Sequence, residues 1–266
     1  MLWRGALFSC CTRSGRALPS QNARSVDSLR RAFYAPLSRE YFAKDCQAAY
    51  LRGRRQNGLY VIRPKDGPLM VVSCLFLKDG GWTVLQQGFR HEEVIWSRSW
   101  ADYKVGFGSL KHSHWLGNEY IHLLTRHNSF TVRFSLNDSK GHSHHADYYS
   151  FKVDSEGAGY ALRLGAHLGN TNDALTVMNE TGIHDNMNFS TYDRDNDRYK
   201  YNCAADNQGG WWYDRCRSAV LNSDRGIYWQ GVCDDANPCL SSVIMIKPSR
   251  INCVKALSNY PSYLSS

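Results

Sequence analysis

Asp193, Asp195 and Asp197 stand at alternate positions of the stretch TYDRDNDRYKYNC, so in an extended or looped backbone their carboxylates converge on one side. Three clustered carboxylates repel one another unless a cation sits among them. The ion suited to such oxygens is calcium, which takes six to eight from carboxylates, carbonyls and water. An EF-hand is excluded: counting Asp193 as its first position, Arg198 replaces the required glycine and Ala204 the bidentate glutamate. The other reading of these residues is a solvated acidic loop tempered by Arg194 and Arg198. A second cluster, GHSHHADYY from Gly141, gathers three histidines among Ser, Gly and Asp, where a solvated loop is expected ahead of a metal site or a pH-sensitive patch. No G-x-S-x-G, H-E-x-x-H, Walker or G-x-G-x-x-G arrangement stands in a fitting context, and the chain is not expected to be an enzyme.

Short strands must position these loops. Phe130, Val132, Phe134 and Leu136 alternate with Thr131, Arg133 and Ser135, so one face of a strand is apolar. Tyr160, Leu162 and Leu164 repeat that pattern, Leu69 to Leu77 reads as a buried strand, and the β-branched run Val243 to Ile246, stopped by Pro248, reads as a central one. Trp96, Trp100, Tyr103 and Phe107 form one stripe of an amphipathic helix ending near Gly106 and facing the core. A second helix is expected from a cap at Asn118, with Ile121 and Leu124 inward. Many short strands, few short helices and long Gly/Asn/Asp loops make an irregular α+β domain.

Charge and cysteine narrow the partners. Residues 1–44 hold eight Lys or Arg against two acids, Asp27 and Glu40, so +6 of the formal +8 lies there, and the rest carries 24 basic against 22 acidic residues. A nearly neutral folded part argues against nucleic acid. No apolar run reaches the roughly 20 residues of a bilayer span. Residues 1–44 read as a basic leader or linker, open between signal peptide, transit peptide and a misassigned start. Residues 45–254 read as the folded domain and 255–266 as a short tail. Nine cysteines without a C-x-x-C pair speak against thiolate metal binding and leave one thiol over, and Cys10 and Cys11 are candidates for cross-linking chains. Sequons at Asn137, Asn179 and Asn188 are compatible with secretion and glycosylation.

DCQAAY at Asp45, NGLYVIRP at Asn57, GGWTVLQQGF at Gly80, WSRSWADYKVGFGSL at Trp96, WLGNEYIHLLT at Trp115 and the dense stretch from Phe189 to Cys216, followed by LNSDRGIYWQG, occur in one order. Over nearly all of residues 45–250 the chain resembles fibrinogen C-terminal domains, such as those of fibrinogen-like proteins, ficolins and angiopoietins. The resemblance implies that fold, with a central twisted, mainly antiparallel sheet, and a secreted, extracellular setting. It implies disulfides Cys46–Cys74 and Cys203–Cys216, the second closing a short loop of a size that contributes about 3 kcal/mol in the chain-entropy account. It also implies calcium held by the side chains of Asp195 and Asp197 and the carbonyls of Tyr199 and Tyr201, near Asp193. Relatives usually carry glycine at the Tyr201 position, so that carbonyl serves only if the backbone avoids positive φ.

In relatives a ligand pocket lies beside the calcium loop around a cis peptide, matched here by Arg215–Cys216. Arg217, Tyr213 and Tyr228 fall beside it, and Trp211 and Trp212 are either further aromatic wall or core. The chain departs from the pattern at GVCDDANPCLSSVIMIKP, which omits a longer segment, so one pocket wall is missing. Cys233 and Cys239, with Cys253 nearby, are expected to supply a local disulfide closing the shortened loop. The resemblance therefore implies a calcium-stabilised recognition domain for a protein receptor, with a calcium-dependent lectin for acetylated glycans as the alternative. Oligomerisation is open, since no coiled coil is visible.

Overall fold

A computed structural model describes residues 41–92 and 94–249. Cys10, Cys11, Cys253 and the expected tail lie outside the described residues. Ala43 lies in a parallel bridge to Ile62, and its carbonyl accepts from Arg63 N at 2.8 Å.

Among the described residues the chain builds a large sheet whose final strand lies in its middle, and a small separate ribbon. β1 (Gly58–Ile62), β2 (Met70–Leu77) and β3 (Gly80–Phe89) form an antiparallel meander. Two short strands, β4 (Phe107–Gly108) and β5 (His114–Trp115), pair with each other, and β5 pairs with β3. β6 (Phe130–Asp138) and β7 (Ser143–Val153) form a hairpin, and β8 (Leu162–Arg163) and β9 (His167–Gly169) pair with β7. β10 (Ala219–Val220) and β11 (Tyr228–Trp229) make a separate two-stranded ribbon. β12 (Cys239–Pro248) then returns between β3 and β6, giving the order β1-β2-β3-β12-β6-β7-β8 with every named pair antiparallel. Val243–Ile246 is central, as expected of this apolar run, and its pairing with β3 and β6 satisfies the backbone on both sides.

The alternation over Phe130–Leu136 is realised as four buried apolar side chains with partly buried polar ones between them. The main core collects these with Tyr103, Trp115, Phe189, Trp211, Trp212 and Trp229, while Trp82, Val84 and Met245 form a smaller cluster. Arg133 and Lys247 lie over the Trp82 ring at 4.8 and 4.4 Å, so cationic side chains cover part of that second cluster.

Four local expectations are corrected. β2 is not buried throughout: Val71 is exposed, because the strand lies next to the sheet's edge and alternates at its start. The aromatic stripe is core, but only part of it is helix. Ser99 and Asp102 form a reciprocal capping box, so the helix spans Trp100–Val105 and leaves Trp96 buried ahead of it. In the helix Asn118–Thr125 the cap is Gly117 at φ 111°, a left-handed-region angle suited to glycine, while buried Asn118 accepts from Trp115 Nε1 at 3.2 Å. Ile121 and Leu124 do face inward. Strand pairing around Tyr160 reaches only Leu162–Arg163, since Tyr160 adopts φ 49° after a 3₁₀ turn and cannot continue a pleat. Among the described residues no helix is long and apolar enough to cross a membrane.

Candidate functional site

Between β9 and β10 the chain runs without long elements from 170 to 218, and this segment carries the acidic loop. Its folding rests on side chains that replace the missing ladders. Thr191 and Arg194 exchange main-chain hydrogen bonds at 2.9 and 3.1 Å, and Asn202 caps the short helix Cys203–Asn207 through Ala205 N at 2.8 Å. Gly209 follows the helix where a Cβ would stand 1.8 Å from the carbonyl oxygen of Asn222, so only glycine fits the close approach. Disulfide Cys203–Cys216, with Cα atoms 5.0 Å apart, closes the loop. Cys46–Cys74 ties the helix Cys46–Leu51 to β2 with Cα atoms 5.5 Å apart.

The three aspartates divide by role. Asp193 turns away from the others: its Oδ1 accepts from Trp100 N at 2.9 Å and from Thr191 Oγ1 at 2.7 Å, anchoring the loop to the start of the helix Trp100–Val105. The first N–H groups of a helix need acceptors, and Asp193 supplies one of them. Asp195 and Asp197 face each other. Asp197 Oδ2 accepts from Cys203 N and Oδ1 from Tyr199 N, both at 2.9 Å, and Asp195 Oδ1 accepts from Asp197 N at 3.2 Å. Burial, reinforced by the adjacent Asp195 carboxylate, pushes Asp197 up to about 6 against the pull of those N–H donors.

The arginines do not temper this pair. Arg194 lies 4.0 Å over the Trp100 ring, and Arg198 Nε is 2.5 Å from Asp214 Oδ1. Among the described residues neither Asp195 nor Asp197 forms an ion pair. Tyr201 lies outside the left-handed region, so the condition set by its replacing glycine is met. The donor set therefore fits a hard cation: two facing carboxylates without a counter-charge, and two carbonyls on a backbone free of positive φ. The rings of Tyr199 and Tyr201 are exposed and meet edge to face with centroids 5.9 Å apart.

The expected pocket residues separate. Tyr213 is fully buried and donates to the Gly209 carbonyl at 2.9 Å, so it belongs to the core and not to a ligand wall. Trp211 and Trp212 are core as well. Arg215 is exposed, Cys216 and Arg217 are partly exposed, and Arg217 lies 4.4 Å over the ring of Tyr228. The Arg215–Cys216 bond is trans, and the chain reverses instead through a left-handed φ of 76° at Cys216. The segment after β11 is as short as its sequence indicates. Trp229 and Cys233 exchange main-chain bonds, Asp234 Oδ1 accepts from Ala236 N and Asn237 N, and disulfide Cys233–Cys239 delivers the chain into β12. An open cleft of about 610 Å³ lies elsewhere, lined by Phe89, Arg90, Ile95, Trp96, Arg225 and Ile227 among others.

Two residues that hold the site carry no spacing signal. His184 is buried, with Nδ1 donating to the Trp212 carbonyl at 2.6 Å and Nε2 accepting from Ser218 N and Ala219 N at 3.1 Å. Burial pushes it down to about 4. Asp214 accepts from Ile183 N at 2.9 Å, joining the loop to the preceding segment. Of the sequons, Asn188 is exposed, Asn137 is exposed but its Nδ2 donates to Ser241 Oγ at 2.9 Å, and Asn179 Nδ2 donates to Ser218 Oγ at 2.8 Å and Gln230 Oε1 at 3.0 Å.

The family of the C-terminal globular domain of fibrinogen beta and gamma chains matches residues 42–245. The chain belongs to the fibrinogen C-terminal domain family. A fibrinogen-like protein 1-like protein of Gallus gallus is 42% identical over 214 residues, which cover 79% of this chain and 75% of that protein. Techylectin-5A of Tachypleus tridentatus is 36% identical over 193 residues, 70% of this chain and 63% of that one. The fibrinogen-like globe domain of human ANGPTL2 superposes with a TM-score of 0.73 at 33% identity, covering 78% of this chain and all of that structure. Fibrinogen-like domains are non-enzymatic, disulfide-bonded modules of extracellular-type proteins that bind protein partners.

Proposed function

We propose that this fibrinogen C-terminal domain is a secreted recognition module whose surface is set by a calcium ion and engages a protein on another cell or in the extracellular matrix. The observation that carries this reading is the pair Asp195 and Asp197, facing each other without a counter-charge in a loop that also exposes Tyr199 and Tyr201. Calcium would be held by the two carboxylates and the carbonyls of Tyr199 and Tyr201, supplying the charge that lets the acidic turn stay closed. The chain's own residues do the rest. Asp193 fixes the loop to a helix, Cys203–Cys216 fixes its far end, and Tyr199, Tyr201, Arg215 and Arg217 are left at the surface. Tyrosine and arginine are the side chains that dominate protein–protein hot spots.

The second reading, a calcium-dependent lectin for acetylated glycans, is favoured by the likeness to a relative named as a lectin. The burial of Tyr213 and the short Cys233–Cys239 loop weigh for the first. The test is binding of the labelled domain to cells and to a glycan array, each in calcium and in EDTA. Cell binding removed by EDTA and by protease treatment of the cells is expected. Calcium-dependent retention on N-acetylated sugars would replace the protein reading with the lectin one.

A further inference from the structure

The histidine-rich stretch enters β7 directly instead of forming a free loop, and this brings two of its imidazoles onto one carboxylate. Asp138 closes β6, and the turn 139–142 brings the chain back so that His142 and His144 stand beside it. The carboxylate is held from behind: its Oδ1 accepts from Lys140 N at 2.9 Å and His142 N at 2.8 Å. Its other oxygen faces both rings, with His142 Nδ1 at 3.1 Å and His144 Nε2 at 3.2 Å. The three ligating atoms all lie within 4.8 Å of one another.

The two separations from Asp138 Oδ2 to the imidazole nitrogens match those between neighbouring ligands of one ion. Zinc bound tetrahedrally to imidazole nitrogen and carboxylate oxygen at 2.0–2.2 Å sets neighbouring ligand atoms about 3.3 Å apart. Two imidazoles and one carboxylate suit zinc and its borderline neighbours, whereas the all-oxygen acidic loop suits calcium. Access is open, since the His142 side chain is 68% exposed and that of His144 27%, while Asp138 at 11% is the fixed base. The two main-chain donors on Oδ1 orient the ligand in the way outer-shell partners do.

We propose that Asp138, His142 and His144 form a zinc-class metal site at the β6–β7 turn, with its fourth position open to water. An ion there would stiffen more than the hairpin. Ser139 N donates to the Pro238 carbonyl, and Lys140 Nζ to Asn237 Oδ1, both at 3.0 Å, so the turn is joined to the loop closed by Cys233–Cys239.

The test uses the full chain with its disulfides intact, in excess calcium so that the acidic loop does not compete. Zinc is titrated against a chromophoric chelator, and cobalt(II) is added separately to read coordination geometry by visible absorption. One equivalent of zinc and a tetrahedral cobalt spectrum are expected. His142→Gln and His144→Gln should each weaken binding about tenfold or more, their combination should abolish it, and Asp195→Asn should leave it unchanged. Near-UV circular dichroism checks that the variants keep the fold, which the exposure of His142 favours. Failure to bind an equivalent at tens of micromolar zinc, or equal affinity in the folded double variant, would overturn the assignment.

Discussion

Arg198 and Asp214 clasp the acidic loop from both ends: Arg198 Nε meets Asp214 Oδ1 at 2.5 Å, and Arg198 N donates to the Asp214 carbonyl at 2.9 Å. Burial alone would raise the Asp214 carboxyl. The guanidinium and the Ile183 N–H reverse that and hold it below the usual carboxylate range. Arg198→Ala therefore strands a carboxylate whose side chain is 1% exposed. The expected loss is about 2 kcal/mol, below that of a fully buried pair because the arginine is half in water. Asp214→Asn keeps an acceptor for Ile183 N and should cost less. Urea unfolding of both single variants and the double variant measures the coupling, and additive losses would show that the pair contributes nothing.

Calcium should raise the melting temperature, and the facing carboxylates should be the reason. At a hundredfold excess over its dissociation constant an ion adds about 2.7 kcal/mol, or about 5 to 10 °C for a domain of this size. Asp195→Asn and Asp197→Asn should each remove most of that rise, whereas Asp193→Ala should retain it and lose stability in EDTA as well, since it deletes the oxygen that accepts from Trp100 N. Tyr201→Gly should change affinity only a few-fold, because Tyr201 contributes a carbonyl from an unstrained backbone. Differential scanning calorimetry in calcium and in EDTA distinguishes these outcomes.

Gly209→Ala tests the packing under the loop. Its new methyl would meet the Asn222 carbonyl oxygen at 1.8 Å, with Ser223 Cα 3.0 Å away, and both are backbone atoms that cannot swing aside. A loss of about 3 kcal/mol is expected from such overpacking. Secreted yield and melting temperature together report it, and a normal yield with unchanged melting would show that the segment has room to move.

What the sequence makes legible here is local or carried by ordered motifs. Alternation in Phe130–Leu136 fixes a face, and the β-branched run before Pro248 fixes a doubly paired strand. Ordered blocks supply the disulfides and the acidic loop. Roles set by distant main chain stay hidden. Asp193 shares the spacing of Asp195 and Asp197, yet its partner is an N–H 93 residues away. Tyr213 looks like an aromatic wall until its hydroxyl finds the Gly209 carbonyl inside the core. The capping box of Ser99 and Asp102 starts the helix inside an aromatic stripe whose spacing alone reads as helix from Trp96.

His184 makes the fold sensitive to acid. Its Nδ1 faces a carbonyl and must carry the proton, while its Nε2 faces the N–H groups of Ser218 and Ala219 and must not. Protonation would set a third donor against those two, inside the core. With its folded value pushed down to about 4 by burial, against about 6.5 for the free side chain, the unfolded chain binds the proton more tightly. The stabilisation is therefore complete above about pH 6.5 and falls away as the pH drops toward 4, a loss of about 3 kcal/mol. Buried His114 is lowered by the same cause and adds in the same direction. Asp197, raised to about 6, has the opposite sign, so the measurement is made in excess calcium to keep that carboxylate ionised. His184→Asn should melt lower than the parent at pH 7 but lose much less stability between pH 7 and 5. Parallel curves for the two proteins over that window would exclude His184 as the source of the acid sensitivity.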